Sequence, residues 1–136
     1  MARGLIAVLA GIVAAFVVVL GVEMIGMQIF PQPPGMNALD PESVRQHLGE
    51  IHVGSFVTVI LAWSFAAFAG PVVARRIAGT TPSWPPLVVI ALFAVLCAYN
   101  LIAVPTPRWM IPAAVLAVGT ASMLGFRSRV WTPQGA

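Results

Sequence analysis

Four long apolar stretches divide the chain. The first runs from Gly4 to Phe30 and is interrupted by Glu23 and Gln28 alone. The second runs from Val53 to Ala74 without a charge. The third runs from Pro85 to Val104, with Asn100 as its one strongly polar member, and the fourth runs from Trp109 to Phe126. Each is close to the ~20 residues a helix needs to cross ~30 Å of hydrocarbon. In lipid every backbone N–H and C=O must pair within its own segment, so runs this long predict helices rather than strands. The pattern predicts an all-α fold, an integral membrane four-helix antiparallel bundle with spans over about 4–30, 53–76, 85–104 and 109–126. Residues 1–129 form one transmembrane domain in this reading, and 130–136 a short cytoplasmic tail. The first run exceeds the roughly 7–15 apolar residues of a secretory leader, so it is expected to stay as a span.

The connections are punctuated by proline and glycine. Pro31, Pro33, Pro34 and Gly35 stop the first helix and stiffen the turn after it. Asp40-Pro41-Glu42-Ser43 reads as a helix start, with Asp40 as N-cap and Pro41 in the first helical position. Val44, Leu48 and Ile51 then recur at helical spacing. They predict a short external amphipathic helix over about 41–50 that leads into the second span. Pro82, Trp84, Pro85 and Pro86 predict a helix restart at the cytoplasmic interface, and Pro105-Thr106-Pro107-Arg108 a tight external turn. Trp84 and Trp109 suit membrane–water boundaries. Pro71 is expected to bend the inner end of the second span.

Composition turns four apolar helices into a protein solvated by lipid. Of 136 residues, 60% are hydrophobic and 8% charged, against roughly 25% charged in a soluble domain. So little charge cannot cover a surface facing water, and the lipid bilayer becomes the expected partner. The net charge of +3 comes from seven arginines and no lysine. They are scattered singly or in pairs, unlike the basic face of a nucleic-acid binder, so no nucleic-acid partner is expected. Their placement sets orientation. Arg3, Arg75, Arg76, Arg127 and Arg129 fall on one side of a four-span chain, while Arg45 and Arg108 share the other with Glu23, Asp40, Glu42 and Glu50. The arginine excess marks the cytoplasmic side, which puts both termini there.

Few residues offer chemistry. Small residues recur at every fourth position of the second span, Gly54, Thr58, Ala62, Ala66, Gly70 and Ala74, with a shorter row of Ala7, Gly11 and Ala15 in the first. Close backbone approach is a main source of helix association in lipid, so these rows predict helix contacts, within one chain or between chains. The bland alternative is chance scatter in an alanine-rich chain. Glu23 is the sharpest candidate, because a carboxylate inside an apolar run is costly. With His52, Asn100 and Tyr99, and with Ser55 and Thr58 nearby, it makes a candidate polar or ion site toward the external side. We read Glu23 first as a structural anchor, hydrogen-bonded to a neighbouring helix or to the proline-rich loop, and second as a proton or cation site. His47, Glu50 and His52 invite a metal reading. On one helix His52 points away from the other two, and no third ligand follows a recognised spacing, so no metal is expected. Met24, Met27 and Met36 suit Cu(I), but methionine is also a common packing residue. Cys97, the single cysteine, reads as a small apolar packing residue. The chain has no supported Ser-His-Asp set, phosphate-binding glycine loop, cysteine pair or haem-attachment sequence. We expect no enzyme and no cofactor.

Val22-Glu23-Met24-Ile25-Gly26, Phe30-Pro31, Pro34-Gly35, Asp40-Pro41, Leu61-Ala62-Trp63, Ala67-Phe68-Ala69-Gly70 and Ala74-Arg75 resemble a group of small bacterial membrane proteins with four spans and no assigned activity. The resemblance covers most of the chain and implies a bacterial inner-membrane location. Glu23-Met24-Ile25-Gly26 also looks like the surroundings of the first-span glutamate in the small multidrug resistance family, whose members are dimeric proton antiporters. Here Glu23 lies late in its helix, and the proline-rich loop with its short helix is foreign to that family. The leading expectation is a structural or accessory membrane protein that associates through helix faces, as a homo-oligomer or in a larger membrane complex. The alternative is a small proton-coupled transporter using Glu23.

Overall fold

The computed structural model describes residues 1–79 and 83–128. Pro82, Arg129 and the tail expected over 130–136 lie outside the described residues. Among the described residues the chain is all-helical: α1 (Ala2–Ile29), α2 (Pro41–Gln46), α3 (Val53–Ala78), α4 (Trp84–Ala103) and α5 (Met110–Arg127). The four long helices have 28, 26, 20 and 18 residues and coincide with the four apolar runs.

Helix ends follow local chemistry. Asp40 Oδ1 accepts the Glu42 N–H at 3.1 Å and caps α2, with Pro41 in its first turn. His52 Nδ1 accepts the Gly54 N–H at 2.9 Å and caps α3. At the far end of α3, Gly79 has φ +89°, a conformation glycine adopts without strain, and its N–H closes on the Arg75 carbonyl. Pro85 and Pro86 begin α4, where their missing N–H groups leave no helical bond unmade. Pro71 sits inside α3, and the helix continues past it to Ala78.

The external helix is shorter than the expected 41–50. The backbone leaves the helical conformation at His47 (φ −100°, ψ 5°), and residues 47–50 continue as hydrogen-bonded turns through Gly49. His47 Nδ1 donates to the Ser43 carbonyl at 2.8 Å, the same oxygen that accepts the His47 N–H at 3.2 Å. The inward pattern survives the change: Val44 is buried, and Leu48 and Ile51 pack against the main core.

Contacts fix the direction of each helix. Gly11 of α1 meets Gly70 and Ala74 of α3, Gly26 meets Thr58, and Gly54 meets Phe30, so α1 and α3 are antiparallel. Gly4 lies against Trp84 and Gly11 against Val89, which makes α4 parallel to α1. Gly125 meets Phe68 and Pro71, while Trp109 meets Phe56, so α5 is parallel to α3 and antiparallel to α1 and α4. α3 is central and touches the other three long helices.

The packing is inside out by the standard of a water-soluble domain. The buried residues of α1 are Gly4, Ala7, Val8, Gly11, Ala15 and Gly26, while Leu5, Leu9, Val13, Val17 and Leu20 point outward. Small residues let backbones approach: a Cβ added at Gly11 would lie 2.8 Å from the Gly70 carbonyl oxygen. Hydroxyls are absorbed within their own helix, Thr58 donating to the Gly54 carbonyl at 2.8 Å and Ser64 to the Ile60 carbonyl at 2.7 Å.

Candidate functional site

The bundle has two chemically different ends. One carries Arg3, Arg75, Arg76 and Arg127 and no carboxylate among the described residues. Arg3 Nε donates to the Ile77 carbonyl at 2.6 Å, tying the start of α1 to the last turn of α3. The Arg75 guanidinium lies 4.7 Å from the centre of the Phe126 ring and ties α3 to α5. The other end carries Glu23, Asp40, Glu42 and Glu50 with Arg45 and Arg108. Its one ion pair among the described residues is Arg45–Glu42 at 3.4 Å, solvent-exposed and worth little.

At this acidic end a cavity of about 230 Å³ opens between α1 and α3, beneath the proline-rich loop and α2. Its wall holds Glu23, Gly26, Met27 and Phe30 from α1 and the residue after it, Gln32, Pro33, Met36 and Ala38 from the loop, and Val44 from α2. Ile51, Ser55, Phe56, Thr58 and Val59 complete it from the α3 side, with Val104 from the end of α4. Each element has a reason to be there. The crossing of Gly26 and Thr58 brings α1 and α3 together just below the cavity, and the prolines after Phe30 fold the chain back over it. Ser43 Oγ accepts the Asn37 N–H at 2.8 Å and holds the loop onto α2.

Glu23 is half-buried in this wall. Among the described residues its carboxylate takes part in no ion pair and no hydrogen bond, so the anchor expected from the sequence has no partner there. No arginine or histidine lines the cavity. The site therefore presents one carboxylate, two hydroxyls and the Gln32 amide against apolar walls.

The other sequence candidates divide. Ser55 and Thr58 join Glu23 in the wall. His52 stands just outside it, stacked on Phe30 with ring centres 4.8 Å apart, its Nδ1 engaged in the α3 cap. Tyr99 and Asn100 do not line the cavity; both lie on the exposed side of α4, and Tyr99 is 68% exposed. Gln32 and Met36 enter from the loop, and the sequence signal for them was the turn imposed by Pro31 and Pro33.

The α3 row points inward. Ala62, Ala66 and Ala74 have no exposed surface, Gly70 is buried, and Gly54 and Thr58 are half-buried against Phe30 and Gly26. Gly70 and Ala74 meet α1 and α4, Thr58 meets α1, and Ala62 and Ala66 lie in the core shared with the other long helices of the same chain. Cys97 is buried on the inner face of α4 among apolar side chains.

His47 and His52 both have Nδ1 engaged in local hydrogen bonds. Among the described residues no three His, Cys, Asp or Glu side chains come together as a metal-ligand group. Of the methionines, Met27 and Met36 share the cavity wall and Met24 points outward. Comparison of the chain with protein-family models, with curated proteins and with solved structures finds no match.

Proposed function

We propose that this chain is a small, non-enzymatic accessory protein of a bacterial cytoplasmic membrane. It crosses the bilayer four times with both ends in the cytoplasm, and it works by holding a cationic group in the cavity around Glu23. The observation that carries this reading is the unpartnered Glu23 carboxylate in the wall of a preformed cavity. Membrane residence is supported by the four apolar helices, the outward large side chains and the gathering of arginine at one end. The bacterial location rests on the sequence resemblance. Association with further copies or a larger complex would use the exposed faces of α1, α4 and α5, because the small-residue row of α3 is occupied within the chain.

Glu23→Gln separates a binding carboxylate from an anchor. A binding group with no protein partner can be neutralised without loss of the fold. The variant should then keep its melting temperature in detergent and lose affinity for cationic ligands. A lowered melting temperature with unchanged binding would return Glu23 to a structural role.

The second reading is a proton-coupled transporter. It draws on the same carboxylate, at a depth where a proton or cation can be exchanged with one side. Glu23→Gln would then abolish pH-dependent substrate movement in reconstituted vesicles, and unchanged flux would remove that role.

A further inference from the structure

The depth and lining of the Glu23 cavity narrow what it holds. Trp84 packs on Gly4 at the arginine end. Glu23 lies nineteen positions further along α1, about 28 Å at the helical rise. A hydrocarbon core of about 30 Å starting near Trp84 therefore ends close to Glu23, at the boundary between acyl chains and headgroups. Trp109, which meets Phe56 in the cavity wall edge-on with ring centres 6.3 Å apart, occupies the matching belt position. Met27 both lines the cavity and is 50% exposed, and its neighbours Met24 and Ile25 are 63% and 62% exposed. The α1 rim of the cavity thus adjoins the apolar outer surface, which gives lateral access from the membrane.

Volume and chemistry agree with that route. About 230 Å³ is below the several hundred Å³ of sites that enclose a drug-sized molecule and suits a headgroup-sized fragment. The wall offers a carboxylate with hydroxyl and amide oxygens beside it, and no cation of its own. A primary ammonium donates three hydrogen bonds and matches these acceptors. A quaternary ammonium would need free aromatic faces. Only Phe30 and Phe56 supply rings here, and Phe30 already has one face covered by His52.

We propose that the cavity holds the primary ammonium headgroup of an outer-leaflet aminophospholipid such as phosphatidylethanolamine, with Glu23 as its counter-ion. This rests on the membrane-spanning, ligand-binding reading given above.

The test uses the full chain, stripped of lipid in detergent and offered lipids of matched acyl chains while bound lipid is counted by native mass spectrometry. Phosphatidylethanolamine should be retained about tenfold more than phosphatidylcholine, the ratio expected for a charge-assisted hydrogen bond. Glu23→Gln should bring the two to parity, and Glu23→Asp should keep part of the preference. Thermal melting of each variant checks that the fold is retained. Should Glu23→Gln fail to fold, Ser55→Ala with Thr58→Val serves instead and should reduce the preference. Equal retention of both lipids by the wild type would overturn the headgroup assignment while leaving a binding cavity. Free ethanolamine displacing the lipid at comparable concentration would overturn the lipid source and make a soluble amine the ligand. No cation-dependent retention in wild type or variant would overturn this proposal and the binding function together.

Discussion

Gly26 of α1 crosses Thr58 of α3 with no room for a methyl group, since a Cβ on Gly26 would overlap the Thr58 Cγ2. The crossing forms the floor of the acidic-end cavity and sets the register of the two longest helices. Gly26→Ala is expected to destabilise by about 1–3 kcal/mol, the usual range for overpacking. Thr58→Ala in the same chain should recover most of that loss, because it removes the colliding methyl. Thermal melts of the two single variants and the double variant in detergent give the coupling directly.

The contact between Gly11 and Gly70 should behave differently. Here the atom in the way is a backbone carbonyl oxygen, 2.8 Å from a Cβ on Gly11, and no side-chain change relieves it. Gly11→Ala should lower the melting temperature, and Gly70→Leu should lower it further by pushing α1 and α4 off α3. Gly21 and Gly119 are the controls. Each is helical with open space where a Cβ would go, so alanine there should be neutral or stabilise by roughly 0.5–1 kcal/mol.

Asp40→Ala removes the side-chain cap of a six-residue helix and should cost about 1 kcal/mol. The effect is local: α2 and the loop held by Ser43 should exchange amide hydrogens faster, while the long helices keep their protection. Equal loosening of α3 would mean that α2 is part of the bundle core rather than a cover over its end.

Cys97 faces inward from α4 into the apolar core that also holds Phe93 and Ala66. It should resist a water-soluble maleimide in the folded protein and react as the bundle melts. Fast labelling at room temperature would contradict the α4 packing.

Much of this architecture is legible in the sequence because lipid-length apolar runs leave the backbone few choices. Helix ends were readable where a cap or proline fixes them, as at Asp40, Pro85 and Pro105. The end of α2 was not, because the Val44–Leu48–Ile51 spacing fits either a helix or a helix followed by turns, and the backbone leaves the helix for turns at His47, two residues before the helix-weakening Gly49. The inward face of α4 was also hidden. Its run is apolar on every side, so nothing in the pattern distinguishes Val89, Phe93 and Cys97, which turn inward, from Tyr99 and Asn100, which turn out. In α3 small residues at every fourth position mark the close-approach face. The cavity could not be drawn from sequence because one side of its wall, Gln32, Pro33, Met36 and Ala38, comes from an irregular loop.

Cysteine accessibility in intact cells tests the membrane-spanning claim most directly. In a Cys97→Ala background, Leu39→Cys places a thiol at a position 92% exposed in the proline-rich loop, and Ser83→Cys places one at the arginine end. A membrane-impermeant maleimide should label position 39 in intact cells and position 83 only after the membrane is opened. Equal labelling of both positions in intact cells, or labelling of 83 alone, would contradict the account.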